Sequence, residues 1–600
     1  MSYLTRGSQP RIARRRLLQV SAAASASSAI LLACGSSGSN SGGDKSNLVT
    51  KAVDTTKIAK RGGVYKYYAI TDVARGFDPH LRDNSLWSHP ALSYETLLQV
   101  KPTVLEPTKS DVFSGLAAES WEFSPDKLSL IFKMRGEAHL DPRPPTRGRL
   151  LEASDVEFTW QKFAGTATLR AEFANAIAPD APVLSVSAPD ARTAVFKLAF
   201  PAPDVLGALA TPSNGYFFIV PKEADGGFDT RRELRGSGPW YQSEYQPSVR
   251  FSYVRNPGHW SKQENWVDNW EMPIVSEYVQ RLAQFRVGNI YAIDIRPEDI
   301  VATKKAVPDL QMVQTIPLGL TTRPIWGWRE GQKSPFRDER VRQAYSMALD
   351  RDLFIDTFGS VSAYRAQGLP VDVVWNSPAL RLDYNEWCLD PRSKDFGPNA
   401  KYLQHNIAEA KKLLSAAGFP NGLDVDAAYI KTSEYGEDFP RRVEVALGMV
   451  AEAGIRSKIT AIDYTTEFRP KYVDARGDFD GVAYRRASTG TPRSEFFAVY
   501  HSKGSQFNGF SASGTSNFGG DPEYDALTSK MQREFDSKTA ISLGNELQRL
   551  EAKRQYTPYF PGGASGFDLA WPVVGNFGVY QGETRRVWWI DETKAPVKRA

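Results

Sequence analysis

The chain has only two cysteines in 600 residues, Cys34 and Cys388. At most one disulfide can form, so a scaffold built on disulfides is excluded. The six histidines are widely scattered, and there is no HExxH, GxSxG, CxxC or phosphate-loop pattern. The common zinc, nucleophile and nucleotide signatures are therefore absent. His80 and His89 lack a second His or Cys at ligand spacing and are read as turn or capping residues. No metal or other cofactor is expected. No apolar run reaches the roughly 20 residues that span a bilayer. The net charge of +5 is also local: Arg6, Arg11, Arg14, Arg15 and Arg16 precede residue 34 in a stretch without Asp, Glu or Lys. This leaves 69 of the 74 basic residues against 69 acids in the remainder. A body that is formally neutral offers no electrostatic footprint for nucleic acid.

What is present begins with a leader in three parts. A basic segment is followed by a modestly apolar run, Leu17 to Ala33, that ends in Leu31-Leu32-Ala33-Cys34. This resembles a lipoprotein signal whose Cys34 becomes the acylated first residue of the mature chain. Arg14-Arg15-Arg16-Leu17-Leu18-Gln19 also resembles a twin-arginine export motif, with Ala13 and Gln19 departing from the usual hydroxyl residue and lysine. After Cys34 comes GSSGSNSGGDKSN, a Gly/Ser/Asn tract that cannot bury apolar surface and reads as a flexible tether to about residue 60. With Cys34 acylated, Cys388 has no intramolecular partner, and its neighbours Trp387 and Leu389 suggest a buried thiol.

The remaining 540 or so residues exceed what one hydrophobic core supports, so about three or four domain-sized units are expected. Leu128, Leu130, Phe132 and Met134 alternate as one face of a strand. Ser154 with Glu157 is a capping box opening a helix whose Val156, Thr159, Trp160 and Phe163 form a stripe. Val341, Ala344, Tyr345 and Ala348 line one helix face behind an Asp338 cap, and Asp350 caps a second, shorter helix ending at Gly359. Asn406 with Glu409 opens another helix, closed by Gly418 and Pro420. Helical patterns resume from Pro522 to about Arg554.

Several of these stretches carry a family likeness. Pro335-Phe336 with Val341-Arg342-Gln343-Ala344 and Ala348-Leu349-Asp350-Arg351 resembles the motif of the family 5 solute-binding proteins, the peptide-, dipeptide- and nickel-type receptors of bacterial ABC importers. In order along the chain, Phe77-Asp78-Pro79-His80, Tyr94-Glu95, Ala118-Glu119-Ser120-Trp121, Gly236 to Tyr241, Arg255-Asn256-Pro257 and the run from Lys411 to Gly422 resemble further family elements. One departure is the proline- and arginine-rich insertion Asp141 to Arg149.

The resemblance implies an α/β, two-lobed periplasmic-binding-protein-like fold with mixed sheets, discontiguous lobes and an extra small domain in the first lobe. Residues 1–33 are then a signal peptide and 34–60 the tether. Residues 61–95, 206–315 and 560–600 form the first lobe, 96–205 the small domain and 316–559 the second lobe. The expected protein is a monomeric lipoprotein on the outer face of the cytoplasmic membrane or in the periplasm. It would capture a solute in the interlobe cleft and deliver it to a membrane permease. The alternative from another class is a secreted hydrolase using a carboxylate pair in that cleft.

Phe479 to Tyr484 resembles the family strand leading into the ligand loop, which in peptide-binding members carries an aspartate for the peptide's α-ammonium. Here the loop holds Arg485, Arg486 and Arg493, with no acid before Glu495. A buried ammonium without its carboxylate costs roughly 3–5 kcal/mol. Ordinary peptides are thus expected to bind poorly unless an acid from elsewhere reaches the site. Arginine forks suit carboxylate or phosphate oxygens, so an anionic or acceptor-rich solute is expected. Candidate contacts are Arg485, Arg486, Ser488, Thr489, Thr491 and Arg493, with Tyr484, Trp326 and Trp328 as aromatic walls. The competing reading makes these arginines structural partners of Asp478 or Glu495.

Overall fold

Gly63, at φ +78° and with no room for a Cβ against Ile590, turns the chain into strand β1 (Val64–Lys66). Strands β2 (Ala118–Phe123) and β3 (Ser129–Met134) come next, then helix α1 (Ala153–Thr166) and strands β4 (Val183–Asp190) and β5 (Thr193–Leu198). They build an antiparallel sheet of order β2-β3-β5-β4. Leu130, Phe132 and Met134 point inward from β3 and share a core with Val156, Trp160 and Phe163 of α1. Strands β6 (Trp240–Gln246), β7 (Arg250–Arg255) and β8 (Asn269–Pro273) join β1 in the order β1-β8-β7-β6, with β1 and β8 parallel. After β9 (Ala292–Ile293) and β10 (Gln311–Gln314) the chain crosses into a second body.

That body contains β11 (Thr322–Trp326), α2 (Glu339–Ala348), α3 (Arg351–Gly359), α4 (Ile407–Ala416), β12 (Leu423–Ile430), β13 (Ile455–Ile462), β14 (Val482–Arg486), α5 (Pro492–Tyr500), α6 (Pro522–Arg533) and α7 (Ser537–Arg554). Its sheet has the order β11-β14-β12-β13; β14, β12 and β13 run parallel, and β11 is the antiparallel edge. The chain then returns as β15 (Phe567–Ala570), inserted between β9 and β10. The computed structural model describes residues 44–598, apart from 74–75, 82–88, 211–216, 318, 330–333, 437, 487–490, 513, 515–517 and 583–584. The leader with Cys34, and Ser488 and Thr489 of the loop, lie outside the described residues. Among the described residues no helix is long and apolar enough to cross a membrane.

Local signals act as their chemistry dictates. Asp338, Asp350 and Asn406 accept backbone N–H bonds from Arg340, Leu353 and Glu409, each at 2.9 Å. The apolar stripe of α2 is buried throughout. Four expectations change in three dimensions. The capping box of α1 is Glu152 with Asp155, two residues earlier than Ser154 with Glu157. Asp155 is held there because Arg149 donates to it at 2.8 and 2.6 Å while also gripping Glu223 at 2.6 Å. The Asp141–Arg149 insertion is therefore a clamp across the start of α1.

The segment from Asp44 to Lys60 is not a free tether. Its Lys45 and Thr50 amides donate to Gly368 O and Met312 O, and Leu48 and Val49 pack on the first core. Leu48 and Val49, together with these backbone bonds, dock a tract that is otherwise mostly polar. Residues Val361, Tyr364, Leu369 and Trp375, expected in the second lobe, bury themselves in the first core instead. The strand Val373–Trp375 pairs with the returning Gly562–Ala564, which draws the segment across. Cys388 is only half-buried. His80 and His89 are buried single hydrogen-bonders, to Phe218 O (3.0 Å) and the Tyr253 hydroxyl (2.6 Å). Burial pushes their imidazoles down to about 4 and about 3.

Candidate functional site

In open α/β sheets the crevice beyond the carboxyl ends of parallel strands is where ligands bind. In the second body that edge is the end of β14, with the amino end of α5 beyond it. The β11–β14 register sets Arg323 directly opposite Arg485 and Thr322 opposite Arg486. Arg323 is completely buried and Arg485 nearly so. Arg323 donates to Thr557 Oγ1 (2.7 Å) and Gln506 O (3.0 Å), and Arg485 donates to Asn508 Oδ1 (3.1 Å). All three acceptors are neutral, and the Nε of both guanidiniums has no partner. Among the described residues neither arginine has a carboxylate within ion-pairing distance. Burial first, and then the Arg485 charge, depress Arg323 to about 10.

Asp478 and Glu495, the acids expected to pair with these arginines, make their closest contacts elsewhere. Asp478 takes Arg329 Nε at 2.9 Å. Glu495, completely buried on α5, accepts from the Tyr559 hydroxyl (2.5 Å) and the Tyr384 hydroxyl (3.1 Å), with Arg381 at 3.8 Å. Like charges directly opposite on paired strands repel, and buried charges are normally paired. The arrangement is thus a preformed double cation with unused donors.

Thr491 caps α5 and donates through Oγ1 to Asp204 Oδ2 at 2.6 Å, so a residue just past the small sheet meets the second body. A Cβ at Gly207 would come within 2.2 Å of Thr491 Cγ2. Ser537 to Asp111 (2.5 Å), Ser505 to Glu172 (3.1 Å) and Lys503 to Asp180 (3.3 Å) extend this seam.

The other anticipated contacts are distributed differently. Arg486 is exposed and donates to Thr321 Oγ1 (2.7 Å). Arg493 is buried against the Trp387 ring (5.1 Å) and donates to Glu534 O (3.0 Å). Trp326 stacks on Phe336 (4.4 Å) and gives its N–H to Gln555 O; Trp328 lies 5.2 Å under Arg342; and the Tyr484 hydroxyl meets that of Tyr345 at 2.6 Å. All three rings belong to the second core. Arg323 was missed, although one arginine inside the apolar run Thr322–Trp326 is the kind of outlier that marks a buried functional charge.

Two bodies joined by paired crossovers, with a cationic strand edge beside the hinge, define a solute receptor. Residues 112–508 match the model of the bacterial extracellular solute-binding proteins, family 5 (middle), and the chain belongs to this family, the receptor components of ABC importers. The dipeptide-binding protein of Escherichia coli is 25% identical over 419 residues, covering 66% of this chain and 71% of that protein. Among solved structures, the periplasmic binding protein DppA from Helicobacter pylori in complex with peptide STSA superposes with TM-score 0.67 at 18% identity, over 90% of this chain and 100% of that one. AgaA of A. tumefacien R10 in complex with agropinic acid gives TM-score 0.65 at 18% identity, over 88% and 99%. These superpositions establish the two-lobed fold.

Proposed function

We propose that this protein is an exported, lipid-anchored receptor that captures an anionic or acceptor-rich small solute between its lobes and hands it to an ABC permease without transforming it. The observation that supports this most directly is the facing of Arg323 and Arg485, two buried cations that no carboxylate contacts among the described residues, Glu495 acting on Arg323 only from a distance. A carboxylate or similar group between them would occupy the free Nε donors and remove the repulsion. A peptide in DppA and agropinic acid in AgaA give precedents for carboxylate-bearing ligands in this fold. Arg486 at the end of β14 and Thr491 at the cap of α5 are proposed to complete the anion side. Residues 61–95, 206–315 and 560–600 are proposed as the first lobe, 96–205 as its small domain and 316–559 as the second lobe, with 44–60 and 361–375 packed on the first. The protein is expected to act as a monomer.

The solute can be obtained by mass spectrometry of what the freshly purified protein releases on denaturation. Added back, it should shrink the radius of gyration and raise stability by about 2.7 kcal/mol at one hundred times the dissociation constant. Scattering curves that superimpose with and without bound solute would sink the closure mechanism.

Export is proposed to follow the twin-arginine-like leader, with Cys34 acylated. One acyl chain holds a membrane only marginally, so several chains on this cysteine are expected. Cys34→Ala should move the protein to the soluble fraction; unchanged membrane retention would refute the anchor.

A further inference from the structure

The segment from Asp44 to Lys60 is fastened to the first lobe along one side only. Thr50 N–H donates to Met312 O at 2.6 Å and Thr50 Oγ1 accepts the Met312 N–H at 3.0 Å, so the segment covers the outer edge of β10. Further on, Asn576 Oδ1 receives the Thr55 N–H (2.7 Å) and hydroxyl (2.8 Å), and the Trp589 ring N–H donates to Thr55 Oγ1 at 2.8 Å. With these inner groups committed, the outward positions are Lys51, Val53, Asp54, Lys57, Ile58 and Lys60, all exposed. Val53 and Ile58 leave 59% and 64% of their surface in water. Among the described residues none of these three lysines takes part in a salt bridge.

A second segment brings the same chemistry to this place. The Tyr580 hydroxyl meets that of Thr56 at 2.7 Å and lies 3.4 Å from the Asp54 carboxylate, and Tyr580 pairs with Val104 in an antiparallel ladder. Leu105 N–H donates to Val579 O at 2.8 Å. The turn after Val104 therefore lies beside Thr56–Ile58. It holds Leu105 at φ +56°, a conformation that a bulky residue seldom adopts, with 57% of its surface exposed. Val104 is 43% exposed. Apolar residues exposed singly need no explanation, but Val53, Ile58, Val104 and Leu105 gather around one tyrosine. Arg61 donates to Lys262 O at 2.6 Å, which adds that loop to the rim. Among the described residues of this rim, Lys51, Lys57, Lys60, Arg61, Lys101 and Lys262 outnumber Asp54, Glu106 and Glu264.

We propose that this face is a docking surface for an anionic lipid bilayer. Apolar tips ringed by lysines suit a headgroup layer: the apolar groups reach the acyl boundary, and the lysine stems follow while their ammonium groups meet lipid phosphate. The place of the face in the chain commits it to this partner. Cys34 is only ten Cα steps from Asp44, at most about 35 Å of extended chain. A bilayer held that near is at high effective concentration, so a weak surface suffices. The anchor fixes the distance, and the second contact fixes which side of the receptor faces the membrane. The tethered geometry rests on the Cys34 reading above, whereas the face stands on its own residues.

The test is lysine footprinting of the full chain. The protein is mixed with phosphatidylglycerol–phosphatidylcholine vesicles or with pure phosphatidylcholine vesicles, and acetylation of each lysine is followed by mass spectrometry. On the anionic vesicles Lys51, Lys57 and Lys60 should react roughly fivefold more slowly than on the neutral ones, the factor that corresponds to one lysine's attraction to an anionic surface. Lys411, exposed on α4 of the second lobe, should keep its rate. In Ile58→Asp/Leu105→Asp the protection should fall below about twofold, with the melting temperature unchanged because both side chains are exposed. Lysines that stay unprotected, equal protection of Lys411, or protection that survives the double variant each overturns the docking face. Protection on native membranes but on neither kind of pure vesicle assigns the face to a protein partner and overturns the lipid assignment. A chain that floats with neutral vesicles yet shows no protection on anionic ones loses the face and keeps the Cys34 anchor. A chain protected on anionic vesicles that does not float with neutral ones loses the anchor and keeps the face.

Discussion

Replacing Arg485 with glutamine should weaken solute binding by roughly two to three orders of magnitude, because breaking a buried, hydrogen-bonded charge pair costs about 3–5 kcal/mol and each 1.4 kcal/mol is tenfold. The same change should leave the ligand-free protein as stable as the wild type or more so. Arg485 faces Arg323 across the β11–β14 ladder, so its charge is repelled in the absence of solute. A glutamine amide keeps a donor for Asn508 Oδ1, which Arg485 now reaches at 3.1 Å. Loss of affinity without loss of stability separates a binding charge from a structural one. Arg486→Gln should have the smaller effect, since that guanidinium is exposed and interacts through water-screened contacts. Calorimetry with the co-purified solute decides the matter: unchanged affinity in Arg485→Gln, or a fall in its melting temperature as large as its loss of binding, would end the assignment.

The largest expected change in stability lies away from the cleft. Glu95 is completely buried and receives Ser237 Oγ (3.1 Å), His259 Nε2 (3.2 Å), Trp260 Nε1 (3.0 Å) and both terminal nitrogens of Arg586 (3.3 Å). Burial by itself would raise its pKa, but the bond and charge of His259, with Arg586 and Trp260, hold it down to about 2. A carboxylate depressed in the folded state contributes stability that is fully present above its unfolded value. That contribution is lost as pH falls through the window from about 4.5 to about 2. It amounts to roughly 3 kcal/mol on the scale of 1.36 kcal/mol per unit. Glu95→Ala, which also strands the Arg586 charge, should cost about 3–5 kcal/mol at neutral pH. Urea unfolding of wild type and Glu95→Gln at about pH 6 and about pH 3 provides the check, through ionisation of this single group. The wild type should lose more than half of its advantage at the lower pH, and parallel curves would show that the network contributes little.

Most of what was legible in the sequence was local or periodic. The caps at Asp338, Asp350 and Asn406 act over two or three residues, and the stripe Val341, Ala344, Tyr345 and Ala348 is a property of helical pitch. The succession of family motifs carried the two-lobed architecture in the same way. The clamp at Arg149 was not legible, because its second acid, Glu223, lies far along the chain. The docking of Asp44 to Lys60 was hidden by its polar composition.

The candidate site divides along the same line. That the residues after Tyr484 carry arginines and no acid before Glu495 is a property of the sequence alone. Which arginine faces which did not, because Arg323 stands opposite Arg485 only through the register of β11 on β14. Trp326, Trp328 and Tyr484 have the chemistry of a ligand wall, yet packing on Phe336, Arg342 and Tyr345 places them inside the second core. A side chain's chemistry is local, but its burial depends on what covers it. The sequence by itself therefore determined the helices, the family and the surplus of cationic residues in the loop. Only the tertiary structure decided which buried charges were left without a contacting acid, as with Arg323 opposite Arg485, because a missing partner is a property of the whole surroundings and not of any stretch of chain.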